Sequence, residues 1–244
     1  MKIILSPAKK MNINTDSGIE ESKPLFIDTA EIILSWLKKR TFEELKRLWS
    51  CSDRIAEENI ERLKHADLFK NQTPAVLAYE GIAYQYLAAE VFEDKQLEYV
   101  RKHLFILSAF YGALRAFDGI IPYRLEMQAK AAVGGYRDLY ELWSDRLYRT
   151  VIGSGETVIN LASGEYSKCI EKYLQKNDRY ISIIFCEKQK GRFVTKGTYA
   201  KMARGEMVRF MAENNITKPE DIKSFDRLGY AFIPCISSDD KYVF

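Results

Sequence analysis

Apolar and polar positions come in blocks along the chain, and block length separates strands from helices. Residues 1–6, with KIILS, read as a short buried strand stopped by Pro7. LFILSAF (104–110) is a near-continuous apolar run and reads as a central strand. TVINLA (157–162) and YISIIFC (180–186) are two further buried-strand candidates. Residues 188–191 carry a turn signal, with RFVT (192–195) as the hairpin partner, and GYAFIPCIS (229–237) is expected to close the sheet.

The other blocks repeat at helical spacing. Residues 28–48 predict a helix with Ile32, Ile33, Trp36 and Leu37 on one side. Asp53 is expected to cap a second helix bearing Ile55, Ile60 and Leu63. Thr73 and Pro74 read as cap and first-turn proline. The helix they open breaks at Gly81 and resumes over IAYQYLAAEVF. Asp94 is expected to cap a helix reaching His103, and residues 138–151, 198–214 and 219–225 complete the helical set. Residues 111–127 have glycine and proline breaks and no clean period. About six strands among six or seven helices, without an internal repeat, predict an α/β (mixed α+β) fold. One domain is expected over 1–244, with a central mixed sheet flanked by helices.

Composition narrows the function classes. Of 244 residues, 47% are hydrophobic and 29% charged, which excludes a disordered chain. The net charge of +3 excludes a tail-driven nucleic-acid binder, so the distribution of charge matters more than its sum. Seven basic residues lie between Glu187 and Arg209 against Glu187 and Glu206 alone, so the basic charge is concentrated in one hairpin-plus-helix unit. That suits an anionic partner, although solvated lysines give the same pattern. The four cysteines form no C-x-x-C pair, and the two histidines stand far apart. No zinc site and no cofactor are expected, and any metal would need oxygen ligands such as Asp118, Glu126 and Glu165. The start is too short for a signal-peptide core and no run approaches a membrane span, so a soluble, cytoplasmic protein is expected. A monomer is the expected state.

Candidate chemistry gathers where apolar runs end. LSPAKK delivers Lys9 and Lys10 after the first strand. Residues 111–127 deliver Arg115, Asp118, Tyr123, Arg124 and Glu126, and VINLASGEYSK delivers Asn160, Ser163, Glu165 and Tyr166. Polar groups at the end of a core strand must be paired with one another or with a ligand. Arg115–Asp118 and Arg124–Glu126 therefore read either as internal ion pairs or as parts of a shared cleft. In the helix over 198–214, Ala200, Ala203, Met207 and Phe210 form the apolar stripe. Lys201, Arg204 and Gly205 fall opposite it, with Arg209 flanking and Lys196 just before. A glycine inside a helix costs about 1 kcal/mol against alanine, so Gly205 implies close approach of either a phosphate backbone or another helix. Residues 73–90 resemble a loose helix-hairpin-helix around Gly81, with Glu80 unfavourable beside phosphate. No nucleophile motif, P-loop or dinucleotide fingerprint is present.

Taken together, LSPAKK, PAVLAYEG, ILSAFYGALRAFDGIIPYRLEM, VINLASGEYSK, AKMARGEMVRF and the final GYAF…SS resemble, in order and spacing, the YaaA family of bacterial peroxide-stress proteins. The resemblance spans essentially the whole chain. It implies a cytoplasmic protein that limits Fenton damage by keeping unincorporated iron low. It also implies a mixed α/β fold with a basic DNA-binding cleft and a helix-hairpin-helix-like element. DNA, double-stranded and also single-stranded, is the partner it implies. Lys9, Lys10, Arg115, Arg124, Lys196, Lys201, Arg204 and Arg209 are then the anion-binding candidates. Asp118, Tyr123, Asn160, Ser163 and Tyr166 are the polar cleft candidates. The chain departs from the commoner family pattern at Ala116 and Gln128. The alternative is an enzyme acting on a small, nucleotide-like anion, with Glu126 or Glu165 as acid or base.

Overall fold

The structure, a computed structural model, describes residues 1–153 and 155–244. Strand β1 (Lys2–Leu5) opens the chain, and β2 (Lys10–Met11) follows the Ser6–Pro7 break. Helices α1 (Ile27–Lys38), α2 (Phe42–Trp49) and α3 (Asp53–Lys64) come next. The single helix expected over 28–48 is thus two. Thr41 ends the first by capping the second: its hydroxyl accepts from the Glu44 amide at 3.3 Å, and the Glu44 carboxylate accepts from the Thr41 amide at 2.7 Å. The cap of α3 is Ser52 rather than Asp53, which sits in the first turn.

Thr73–Pro74 forms a short strand, β3, before the four-residue helix α4 (Ala75–Ala78). It pairs antiparallel with Gly119–Ile120, so the expected helix start is instead a bridge pinning this segment. After β4 (Tyr79–Glu80) come α5 (Ile82–Leu87) and α6 (Asp94–His103), the latter boxed by Glu93 rather than Asp94. Strand β5 (Leu104–Ser108) follows α6 directly. Two strands then lie in the stretch without a clean period: β6 (Gly112–Arg115) and β7 (Gly119–Ile120).

The helix expected over 138–151 is split into α7 (Leu139–Trp143) and α8 (Arg146–Ile152) by Ser144, at φ 46°. The remaining elements are β8 (Val158–Leu161), α9 (Gly164–Glu171), β9 (Tyr180–Ile184), β10 (Glu187–Gln189), β11 (Arg192–Val194), α10 (Gly197–Glu213) and β12 (Lys241–Val243). Lys190 and Gly191, at φ 47° and 79°, make the tight turn of the β10–β11 hairpin. GYAFIPCIS does not close the sheet. Pro234 starts a 3-10 turn there, and the last strand is β12, too short to leave a periodic signal.

Six strands form one sheet in the order β12-β9-β8-β1-β5-β6. All neighbouring pairs are parallel except β5 with β6. This is the mixed sheet with flanking helices that the apolar blocks predict. Strand β1 is central, paired on both edges, and Ile3, Ile4 and Leu5 are all buried, so both of its faces are covered and its sequence does not alternate. The order places a switch point at β1. The next strands of the sheet, β5 and β6, are added on one side, and β8, β9 and β12 on the other. Open sheets of this kind hold ligands in the crevice outside the carboxyl ends of the strands at such a point.

Candidate functional site: a cation-rich cleft at the switch point

At the carboxyl ends of β1 and β8 lies a cleft of about 560 Å³. Ser6 and Ser163 continue these two strands and tie them together. The Ser163 amide donates to Ser6 Oγ at 2.8 Å, and the two hydroxyls lie 3.1 Å apart. Tyr84 of α5 donates its hydroxyl to the Ser6 carbonyl at 2.9 Å, which fixes the opposite wall. Gly81 lets that wall approach: a Cβ there would meet the Ala8 Cβ at 2.8 Å. Pairing of β2 with β4 sets Lys10 opposite Glu80, and both residues face the cleft.

The third contribution comes from residues 123–126, which line the cleft after β7. Tyr123 is held from beneath. Its hydroxyl lies 2.8 Å from that of Tyr79 and 2.7 Å from Ser108 Oγ, and its ring stacks on Phe110. Burial pushes its phenol up to about 12, so Tyr123 is a neutral strut rather than a proton carrier.

Charge decides what the cleft accepts. Its lining includes the cations Lys9, Lys10, Arg124, Lys201 and Arg204 and the carboxylates Glu80, Glu126 and Glu165. Lys10 pairs with Glu80 at 2.5 Å, and Lys9 is ion-paired to Glu126. Arg124, Lys201 and Arg204 have no ion pair among the described residues. Arg204 is the most exceptional of the three. Its Nε is buried with no hydrogen-bond partner among the described residues, and burial lowers its pKa. An unpaired buried guanidinium N–H carries its full desolvation penalty until an acceptor arrives. Glu165, in the first turn of α9, accepts from the Gln128 amide at 3.2 Å. Burial raises its pKa, and neighbouring Glu126 adds to the rise. Tyr166 beside it is raised further by burial.

Of the residues expected at this site, the structure brings together Lys9, Lys10, Tyr123, Arg124, Glu126, Ser163, Glu165, Tyr166, Lys201 and Arg204. It places the others elsewhere. Arg115 and Asp118 form an internal pair. The fully buried Asp118 carboxylate accepts from Arg115 Nε at 2.9 Å, the Arg115 amide at 2.9 Å and Ser22 Oγ at 2.7 Å. Asn160 accepts from the Ala162 amide at 2.9 Å and shapes the turn after β8. Lys196 pairs with Glu187 at 2.6 Å. Arg209 pairs with Glu213 at 2.8 Å, in a network that Arg227 extends to Glu206 and Glu213.

Gly205 does not lie on a solvent face. A Cβ there would fall 1.8 Å from the Ala83 carbonyl oxygen, so the glycine serves helix packing of α10 on α5. Helix α10 is buried on two sides, by its apolar stripe and by α5, which a one-stripe wheel does not anticipate. Sequence reasoning missed Ser6 and Tyr84, the residues that brace the cleft. The Ser-Pro stop after β1 was the available signal for Ser6, and Tyr84 had none. Among the described residues, no group of three or more His, Cys, Asp or Glu side chains is placed to hold a metal ion. Among them, too, no helix is long and apolar enough to cross a membrane.

Fold and cleft together define an α/β protein with a cation-rich cleft at the switch point of a largely parallel sheet. The family described as peroxide stress protein YaaA matches residues 1–235, and the chain belongs to it. A UPF0246 protein of Agathobacter rectalis is 61% identical over 100% of this chain and 98% of its own length. UPF0246 proteins of Pediococcus pentosaceus and Lachnoclostridium phytofermentans are 48% and 47% identical over the whole chain, covering 97% and 96% of their own lengths. Family membership supports a role in peroxide stress.

Proposed function

We propose that this chain acts in peroxide stress by binding DNA through the cleft, so limiting Fenton damage while unincorporated iron is kept low. The observation that carries this reading is the trio Arg124, Lys201 and Arg204, three cleft cations without a carboxylate partner among the described residues. A phosphate oxygen would satisfy Arg204 Nε, and the other two would neutralise its charge. The described cleft lining offers no Asn or Gln for reading adenine edges, so adenine is not read by such a pair. The test is duplex affinity at fixed low salt. Lys201→Ala should bind several-fold more weakly. Glu126→Gln, which frees Lys9 and removes a negative charge, should bind more tightly. Unchanged affinity in both variants would remove the cleft from DNA binding.

A second reading is favoured by Glu165. A half-buried carboxyl group with a raised pKa, beside Glu126 and a row of cations, suits proton transfer on a small phosphate-bearing substrate better than contact with a polyanion. Under that reading, Glu126→Gln loses stress protection in cells while duplex affinity is kept.

A further inference from the structure

Beyond the cleft, on the hairpin and the first turn of α10, two aromatic rings stand in solvent. Phe193 of β11 is 44% exposed and Tyr199 is 48% exposed. All three residues of β11 are exposed, so the strand has no packed face. Each ring thus leaves close to half of its surface in water, where apolar area gains nothing from burial. Both rings line one recess of about 470 Å³, together with Met202, Leu228 and Tyr230.

The recess is set among cations. Lys188 lines it, Lys190 lies in the hairpin turn and Arg192 follows the turn. None of these three has an ion pair among the described residues. Lys196 is satisfied differently: it pairs with Glu187 and its ammonium lies 5.3 Å from the centre of the Tyr199 ring. An occupant must therefore offer flat apolar faces and negative charge together. Duplex DNA offers the charge but keeps its base faces stacked inside. A single strand offers both, because every unpaired base has a free π-face beside its phosphate.

We propose that Phe193 and Tyr199 form a stacking platform for unpaired nucleobases, with Lys188, Lys190 and Arg192 holding the phosphates of the same strand. This inference rests on the reading of the protein as a nucleic-acid binder and names a site and a strand form for it. Tyr199 and Lys201 leave the first turn of α10 on opposite sides, since two residues turn the helix by roughly 200°. The platform and the cleft thus lie on opposite sides of one helix.

The test compares binding of a short oligothymidylate and of a blunt duplex by fluorescence anisotropy, for wild type, Phe193→Ala, Tyr199→Ala and Lys201→Ala. Each aromatic truncation should weaken oligothymidylate binding by about 10- to 100-fold, from the stacking energy of one base. Duplex affinity should stay within about twofold. Phe193→Trp should retain oligothymidylate binding, which separates stacking from a folding defect. If both aromatic variants bind oligothymidylate as wild type does, the platform is refuted while the cleft reading stands. Equal losses on both probes would also refute it, because the rings would then not be reading unpaired bases. Failure of wild type to bind either probe would overturn both readings. A concentration-dependent dimer that Phe193→Ala dissociates would assign the rings to self-association and overturn the platform alone.

Discussion

Replacing Gly205 by alanine sets two effects of opposite sign against each other. Alanine is the better helix former by about 1 kcal/mol, so on an exposed helix face the variant would be more stable. The structure predicts the reverse. The added Cβ would lie 1.8 Å from the Ala83 carbonyl oxygen and 2.7 Å from its carbon, both backbone atoms that no rotamer change can move aside. To reach ordinary contact, α10 and α5 must part by roughly 1.6 Å, an overpacking of the kind that costs about 1–3 kcal/mol or more. The rigid backbone on both sides places the cost at the upper end, so net destabilisation of about 2 kcal/mol is expected. For a chain of this length that lowers Tm by about 4–8 °C. Thermal and urea unfolding followed by circular dichroism would measure it. An unchanged or raised Tm would refute the packing role of Gly205 and restore the phosphate-approach explanation. Ala83, Lys201 and Arg204 all line the cleft, so the same substitution should also weaken DNA binding.

Three further outcomes follow from the geometry. Asp118→Ala should destabilise the fold by about 3 kcal/mol, because it strips acceptors from the Arg115 amide and Ser22; the partly exposed Arg115 guanidinium limits the charge contribution, and urea titration reads the result. Glu165 has a folded-state pKa above its ordinary 4.5, so the native state holds more protons than the unfolded chain between those values. Stability should fall as pH rises through that window, and anion affinity should fall with it as the cleft gains a negative charge; Glu165→Gln should flatten both profiles, and a variant profile as steep as that of wild type would contradict this. Burial pushes the Cys169 thiol up to about 12, whereas Cys235 is exposed, so native-state alkylation mapped by mass spectrometry should label Cys235 first and Cys169 only after unfolding.

Much of the fold was legible in the sequence because strands flanked in the sheet and largely buried leave mostly apolar runs. KIILS, LFILSAF, TVINLA and YISIIFC are largely apolar runs of this kind, and each contains a strand of the sheet. Strands β6, β7 and β12 were hidden because two to four residues carry no period, and their places are set by pairing partners far away in sequence. The site divides the same way. Polar groups just beyond β1 and β8 announced the cleft, since parallel neighbours bring their carboxyl ends together. Arg115 and Arg124 look alike in sequence, nine residues apart in one irregular segment. Only the three-dimensional path shows that the first turns onto Asp118 and the second into the cleft. Arg209 likewise continues the basic helix, yet its charge is taken up by Glu213, one turn further on.

The most direct test of the cleft as a phosphate site is the slope of log affinity against log salt for duplex DNA. It should be measured for wild type and for a variant carrying Arg124→Ala, Lys201→Ala and Arg204→Ala together. The predicted result is a steep wild-type fall that the variant flattens by about 0.9 for each phosphate it no longer neutralises. A variant slope equal to that of wild type, or no wild-type binding even at low salt, would contradict it.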